Sequence, residues 1–170
     1  MSKTSGLQPE TYVIPENFEG KFRIIYGETC GVEPKNEKGR RILEIPNNGH
    51  LIIKPKFKRG DTDKNFFFVD SNGKRKQIVE LDNLQQRLIT RPGVIMNSAF
   101  NVQPGIMPDN SFSTESPLSI LYTEFTVFNK DTIFINQRME LEAKLLAIKA
   151  GKKSSLMDDL VEDCRKKNGR

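Results

Sequence analysis

The sequence has few of the residues that build metal centres and catalytic triads. It contains no tryptophan, one histidine (His50) and two cysteines (Cys30 and Cys164) among 170 residues. These numbers exclude nearly every His/Cys metal site, and every His-assisted triad except one that uses His50. The longest apolar runs are about four or five residues, as in 66–69, whereas a membrane-spanning helix needs about 20. The sequence as it stands therefore contains no predicted transmembrane helix.

The overall composition is that of an ordinary globular domain. Hydrophobic residues make up 36% of the chain and charged residues 29%, and the net charge is +5. A chain of 170 residues corresponds to about one domain. It is long enough to bury a core without disulfide bonds, since chains of about 150 residues bury roughly two thirds of their unfolded surface.

The positive charge is concentrated in two parts of the chain. Residues 35–60 carry eight Lys or Arg against two Glu, and residues 149–170 carry seven against four acidic residues. A candidate basic patch is formed by four residues that surround one aromatic residue, Phe57: Lys54, Lys56, Lys58 and Arg59. A nucleic-acid platform would interleave more aromatic residues with its charges. The pattern favours a solvated strand face, and a cytoplasmic nucleic-acid-binding domain is the alternative.

The two cysteines leave three interpretations open. Two free thiols are expected, because disulfide-stabilised small domains usually contain four or more cysteines. A single bridge would have to tie the charged tail around Cys164 to the body of the domain. A catalytic Cys30 with His50 as its base is the third interpretation, but the sequence indicates no third group that would orient them.

Short alternating segments predict a mainly β fold. In 21–26, Phe22, Ile24 and Tyr26 fall on one face at a period of two. Two Asn-Gly turns, within 47–49 and 70–73, predict tight hairpins, and Gly49 would supply a positive φ that valine resists. We therefore predict an antiparallel β-sandwich or small barrel of about seven strands, with a helical appendage at the C-terminus.

The chain divides into three predicted parts. Residues 1–10 are polar and are interpreted as a flexible lead-in or tether. Residues 11–130 are predicted to form the β domain, with a long loop at 90–118 that holds one weak strand. Residues 131–170 are predicted to be helical, because helix formers and apolar stripes recur at the spacing of a helix. The predicted stripes are Met139, Leu141, Leu145 and Ile148, and then Leu156, Leu160 and Cys164.

No pattern in the sequence points to a reaction. The acidic pairs lie in lysine-rich surroundings, and the glycines are scattered at turns rather than grouped in a phosphate-binding loop. The segment 61–63 lacks the glycine and the distal glutamate of a calcium loop. We therefore assign no catalytic, cofactor-binding or metal-binding residue and no cofactor, and we expect a protein that is not an enzyme.

One series of motifs resembles a known family. The segments concerned are 12–26, the Ile-Pro-x-x-Gly-x-Leu motif at 45–51, and the aromatic-Val-Asp-x-x-Gly-Lys-Arg motif at 68–75. Together they resemble, over about residues 11–82, an uncharacterised β-rich family of small bacterial cell-envelope proteins, often lipoproteins of the Bacteroidetes type. These motifs occur at turns and strand ends, so the resemblance implies a fold and a location without implying catalytic residues.

The resemblance also implies how the chain reaches its location. Mature lipoproteins begin with an acylated cysteine followed by a polar tether, and the polar residues 1–10 have the character of such a tether. We therefore expect an envelope protein in which Met1 stands in place of that cysteine and the leader has been removed. The expected partner is an unknown protein or surface ligand. Nucleic acid is not expected to bind, and membrane contact would occur through a lipid anchor only.

Overall fold

The computed structural model describes residues 7–81, 92–102, 119–129 and 156–167. These residues form nine strands and, near the C-terminus, a helix. The elements are β1 (Glu10–Pro15), β2 (Gly20–Tyr26), β3 (Lys35–Glu37), β4 (Arg40–Glu44), β5 (His50–Ile52), β6 (Lys64–Val69), β7 (Arg75–Glu80), β8 (Gly93–Val102), β9 (Ile120–Phe128) and α1 (Leu156–Lys167). The predicted mainly β class and the C-terminal helix are confirmed.

All nine strands belong to one sheet, in the order β3-β4-β1-β6-β7-β8-β9-β2-β5. The sheet is mixed, because β1 pairs in parallel with both β4 and β6, and β2 pairs in parallel with β5. Within the described residues, β7 and β8 are joined by a parallel pairing of two residues on each strand, and the Leu81 N–H just after β7 donates to the Val94 carbonyl at 2.7 Å. This short contact divides the sheet into a first half (β3-β4-β1-β6-β7) and a second half (β8-β9-β2-β5).

The two halves face each other across one core. Tyr12 on β1 lies 5.0 Å, between ring centroids, from Phe125 on β9, although three strands separate β1 from β9 in the sheet. Phe66 and Phe22 complete this aromatic group, at 4.9 Å from Tyr12 and 4.9 Å from Phe125. Contact between such distant strands requires the sheet to fold over on itself. The result is a sandwich made from one sheet that does not close.

One predicted hairpin is confirmed and the other is wrong. The turn at 70–73 joins β6 and β7, which pair antiparallel with Phe66 opposite Ile78. The segment 47–49 does turn, with the Gly49 N–H donating to the Pro46 carbonyl at 2.9 Å. However, β4 and β5, which it connects, lie in opposite halves of the sheet and do not pair.

The reason lies in the neighbours that β4 already has. Strands β1 and β3 take both of its edges, and the pairing with β1 continues past β4 through the Ile45 N–H, which donates to the Val13 carbonyl at 2.8 Å. The chain then crosses to β2, where the Arg23 N–H donates to the Gly49 carbonyl at 2.7 Å. An Asn-Gly turn reverses the chain, but it does not determine which strands pair.

A tight hairpin is present ten residues earlier. Lys38 and Gly39 have φ values of 51° and 79°, and Glu37 lies opposite Arg40 in the antiparallel pair of β3 and β4. Two central residues with positive φ are typical of a type I′ turn. The sequence signal there is Lys-Gly, which is weaker than Asn-Gly.

Two predicted boundaries also differ from the structure. The predicted loop 90–118 contains β8, a ten-residue strand whose register shifts between Met96 and Ser98. Glu10, at the end of the predicted lead-in, is the first residue of β1 and is buried. Residues 1–6, 103–118 and 131–155 lie outside the described part of the chain, so the lead-in, the rest of the loop and the first predicted helix stay predictions.

Helix α1 covers the outer face of the second half of the sheet. Met157 and Val161 are buried there against Ile25 and Tyr122, whereas Leu156, which the sequence placed on the buried stripe, is 56% exposed. No described helix is long and apolar enough to cross a membrane.

The end of α1 is bonded covalently to the β domain. Cys164 forms a disulfide with Cys30, with their Cα atoms 5.5 Å apart, so the expectation of two free thiols is wrong. An ion pair lies next to the disulfide. Arg165 donates from Nε and Nη2 to the two carboxylate oxygens of Glu28, at 2.5 and 3.2 Å. The two cysteines are 134 positions apart, so their spacing in the sequence could not predict that they pair.

The crossing at Gly49 yields a testable prediction about stability. Gly49 and Gly39 have φ values of 75° and 79°, so alanine is strained by a similar amount at both. At Gly49 an added Cβ would also lie 2.9 Å from the Lys21 carbonyl oxygen and 3.2 Å from Phe18 Cζ, whereas at Gly39 nothing lies within 4 Å. We expect Gly49→Ala to lower the free energy of unfolding by about 1–3 kcal/mol more than Gly39→Ala, measured in urea. Equal losses would show that the crossing is not packed as described.

Candidate functional site

A cleft of about 310 Å³ opens between the two halves of the sheet. Ligand pockets in proteins have volumes of about 300–1,000 Å³, so the cleft is the size of a small ligand site. Both halves contribute to its wall, together with the segment between β5 and β6. The lining residues are Leu7, Gln8, Glu10, Tyr12, Tyr26, Arg41, Lys56, Phe57, Lys58, Gly60, Thr62, Lys64, Met96, Thr123 and Phe125.

Three parallel strands place ionisable groups side by side in the cleft. The register pairs Glu10 on β1 with Arg41 on β4 and with Lys64 on β6. Residues at the same level of neighbouring parallel strands project to the same face of a sheet. An acidic residue therefore stands between two basic ones in one row across the first half.

Glu10 is the buried acidic residue in the middle of this row. It is only 7% exposed, the Tyr12 hydroxyl donates to its Oε1 at 3.1 Å, and Arg41 Nη1 lies 3.7 Å from its Oε2. Burial raises the pKa of Glu10, and the hydrogen bond from Tyr12 and the charges of Arg41 and Lys64 oppose that rise without cancelling it. The protonated form of Glu10 is thus favoured more than in a solvated glutamate.

Two tyrosine hydroxyls form the polar part of the floor. Tyr26 Oη lies 3.2 Å from Thr123 Oγ1, and Tyr12 Oη bonds to Glu10. Burial raises the pKa of both tyrosines, and that of Tyr12 is raised further by the nearby Tyr26 and Glu10. Both hydroxyls therefore keep their protons at neutral pH and remain hydrogen-bond donors.

The rest of the floor is apolar and belongs to the core. Tyr12 packs against Phe125, and Phe57 packs edge-on against Tyr26 with ring centroids 5.3 Å apart. Met96, which is 36% exposed, adds a thioether to the same wall.

Two members of the predicted basic patch lie on the rim of the cleft. Lys56 and Lys58 are exposed and line it, and neither forms an ion pair with any residue in the described part of the chain. Lys54 and Arg59 are also exposed, but they do not line the cleft. The structure therefore splits the predicted patch into two residues at the site and two outside it.

Arg40 fixes the starts of the three strands that carry the row of charged residues. Arg40 donates from Nη1 to Asp63 Oδ2 at 2.6 Å, from Nε to Thr11 Oγ1 at 3.0 Å, and from Nη2 to the Glu10 carbonyl at 2.7 Å. These bonds tie the start of β4 to the starts of β1 and β6. Arg40 thereby holds the row of Arg41, Glu10 and Lys64 in place without lining the cleft.

The hypothetical Cys30–His50 pair is not a nucleophile and its base. The sulfur of Cys30 is bonded to Cys164 and carries no thiol. His50 lies on β5, where Nδ1 is 2.8 Å from the Asn48 carbonyl and Nε2 is 3.4 Å from Arg23 Nη1. Burial is the main cause that lowers the pKa of His50.

Arg23 belongs to a second polar cluster, which is internally satisfied. Its Nε donates to Glu124 Oε2 at 3.0 Å, Asn97 Nδ2 donates to Glu124 Oε1 at 3.0 Å, and Lys21 Nζ lies 3.8 Å from the same oxygen. The guanidinium also lies 5.2 Å from the ring centroid of Tyr122. These contacts provide both carboxylate oxygens of Glu124, which is 7% exposed, with partners inside the protein.

Sequence reasoning missed the residues that define the cleft. Glu10, Tyr12, Tyr26 and Thr123 were not predicted as site residues. One signal was present, because Glu10 precedes Tyr12 and Ile14 on the inward face of an alternating strand. An acidic residue in register with apolar ones is expected to be buried, and a buried acid needs partners.

Comparison with known proteins agrees with this β architecture. Residues 7–133 match a family of unknown function (DUF6843). The chain belongs to this family. The match confirms an uncharacterised family and extends beyond the predicted range of 11–82, and it includes every residue that lines the cleft. No curated protein matches the sequence.

A solved structure shares the fold. The chain is similar to a crystal structure described as a putative lipoprotein from Bacillus anthracis, with a TM-score of 0.52 and 16% sequence identity. The similarity covers 73% of this chain and 71% of the other. At this identity the likeness establishes the fold of this family member and no more.

The burial of Glu10 leads to a prediction about pH. Its raised pKa means that Glu10 stabilises the fold most when the pH is below the ordinary pKa of a glutamate, and that this contribution is lost as the pH rises through the pKa of Glu10 in the folded protein. Glutamine cannot ionise, so we expect Glu10→Gln to gain stability relative to the wild type between pH 4 and pH 8. Urea unfolding at both pH values measures this. Glu44→Gln, at an exposed site on β4, is the control and should show no such gain. An equal pH dependence of Glu10→Gln and wild type would contradict the assigned burial.

Proposed function

We propose that this protein is a cell-envelope domain of the lipoprotein type that binds a ligand in the cleft and catalyses no reaction. The observation that carries the location is the Cys30–Cys164 disulfide. Disulfides form and persist in oxidising compartments outside the cytoplasm and are rare within it. A cytoplasmic protein would hold these two cysteines as thiols.

The similar solved structure supports the same location. It is described as a lipoprotein, although only putatively, and it shares the fold over most of both chains. The motifs at 12–26, 45–51 and 68–75 led to the same proposal from the sequence. That the lipoprotein is of the Bacteroidetes type stays a prediction.

Binding without catalysis is the function that the cleft supports best. Its hydroxyls keep their protons, its buried carboxyl is held by Tyr12 and Arg41, and its remaining floor is aromatic. Convergent polar groups beside apolar side chains in a preformed cleft are typical of ligand pockets. Cys30 and His50 were considered as nucleophile and base, but Cys30 is bonded to Cys164 and has no thiol.

The packing of Phe57 argues against the nucleic-acid alternative. It is the one aromatic residue among the four basic ones, and it packs edge-on against Tyr26 in the cleft, so segment 54–59 presents no row of aromatic faces beside its charges. Single-stranded nucleic acid is bound through exposed aromatic faces beside a basic groove. We therefore expect no binding of single-stranded RNA or DNA oligonucleotides by filter assay at 50 mM salt, where the electrostatic contribution is large. Retention of either at that salt concentration would favour the alternative.

The disulfide gives the experiment that tests the location. In cells that produce the protein from its own gene, we expect it in the envelope fraction, with no reaction with a polyethylene-glycol maleimide until a reductant is added. After reduction, two maleimides should add, one at Cys30 and one at Cys164. A cytosolic protein that reacts twice without reductant would refute the proposed location.

The same bond predicts a loss of stability on reduction. It links residues 134 positions apart, and such cross-links stabilise a fold by about 2–4 kcal/mol, mainly by restricting the unfolded chain. We expect the double variant Cys30→Ser/Cys164→Ser to lose that amount in urea unfolding. Reduced wild-type protein is the matched control and should unfold at the same urea concentration as the variant. No difference between oxidised protein and variant would contradict the bond.

A further inference from the structure

We infer that the cleft binds a small organic anion with a planar apolar body, whose charged group lies at the lysine rim and whose body lies against Phe57 and Met96 in the cleft wall. This inference rests on the proposed function, because it names the ligand class of the same site. It follows from how charge, aromatic surface and space are distributed from the rim of the cleft to its floor.

The charge of the cleft is unbalanced. Four basic side chains, those of Arg41, Lys56, Lys58 and Lys64, line it together with one acidic side chain, that of Glu10. Arg41 is placed beside Glu10 at 3.7 Å, and Lys64 lies in the same row. Lys56 and Lys58 thus remain as cations that an incoming anion can neutralise.

The position of the two lysines sets where the anion would lie. Both are exposed, whereas Glu10 is buried. Segment 54–58 carries them along the rim, anchored where the Gly27 N–H donates to the Pro55 carbonyl at 2.8 Å and where Phe57 packs on Tyr26. A carboxylate at the rim would meet two ammonium groups and stay away from Glu10.

The apolar side chains of the cleft determine which kind of apolar group fits there. Leu7 and Phe57 are half-buried and Met96 is 36% exposed, so these apolar side chains of the lining are open to a ligand, whereas Tyr12, Tyr26 and Phe125 are buried. Aromatic and thioether side chains favour planar apolar groups by stacking and by S–aromatic contacts. The phenol hydroxyls of Tyr12 and Tyr26 already have partners, so the body gains most by being apolar.

The volume limits the ligand to a small molecule. A space of 310 Å³ is at the lower end of the range for ligand pockets, and a fused two-ring system fits that range. A polymeric anion would need a basic surface that continues beyond the rim, and Lys54 and Arg59 do not line the cleft. The site therefore selects a single anionic group with one apolar body.

The experiment uses three probes that separate charge from apolar surface. They are 2-naphthoate, the neutral and nearly isosteric 2-naphthamide, and acetate, titrated into the full-length oxidised protein and followed by amide chemical shifts in NMR. We expect 2-naphthoate to bind about tenfold more tightly than 2-naphthamide, with shifts at Tyr12, Lys56 and Thr123. Acetate should bind too weakly to saturate, because it has no body to place on the floor.

A charge-matched pair of variants assigns the binding to the rim. Lys56→Gln/Lys58→Gln should weaken 2-naphthoate about tenfold, as expected for two partly exposed charge contacts, and leave 2-naphthamide unchanged. Lys74→Gln/Lys76→Gln removes the same charge from exposed positions in and after the β6–β7 turn, outside the cleft, and should change neither.

The outcomes distinguish the ligand class from the proposed function. Equal affinity for the two naphthalene probes at the cleft would overturn the anionic class and leave the cleft as a binding site. An equal loss in both double variants would also overturn it, since net charge alone would then explain the effect. Absence of cleft shifts with every probe would overturn both this inference and binding in the cleft, while the envelope location would still be decided by the maleimide experiment.

Discussion

Contact between the two halves of a single sheet is the constraint on which the rest of the structure depends. Tyr12 and Phe125 can meet at 5.0 Å only because the sheet turns back on itself at the two-residue link between β7 and β8. A continuous ladder through that region would resist such a fold, so the short pairing acts as the corner of the sandwich. Each half then buries its inner face against the other, and burial of aromatic and aliphatic side chains supplies the driving force.

The folded sheet determines both the crossing at Gly49 and the cleft. Because the sheet stays open, the chain between β4 and β5 can pass from one half to the other, and the crossing needs a residue without a side chain beside the Lys21 carbonyl. The cleft forms where the starts of β1, β4 and β6 face β2 and β9. Its polar groups are extensions of the same inward-facing rows that make the core, as Glu10 and Tyr12 on β1 show.

Local sequence patterns correctly predicted the strands and turns that are determined by residues close together in the sequence. The alternation in 21–26 correctly gave β2 with Phe22 and Ile24 buried, and the turn at 70–73 correctly gave the β6–β7 hairpin. Strand pairing was not predictable from the turn at 47–49, because the partners of β4 and β5 are set by distant strands. The disulfide and the cleft depend on the same long-range order: Tyr26 and Thr123 are 97 positions apart, and no spacing in the sequence links them.

The helix and the cleft use different faces of the same strands. Ile25 on β2 points outward to Met157 and Val161 of α1, whereas its neighbours Ile24 and Tyr26 point inward to the core, and Tyr26 also lines the cleft. The covalent tie at Cys30 is therefore made close after β2 ends, without blocking the rim formed by Lys56 and Lys58. A bond that restrains the outer layer thus stiffens the wall that carries Tyr26. Stiffness of this kind lowers the entropy lost on ligand binding, which favours the binding that we propose for the cleft.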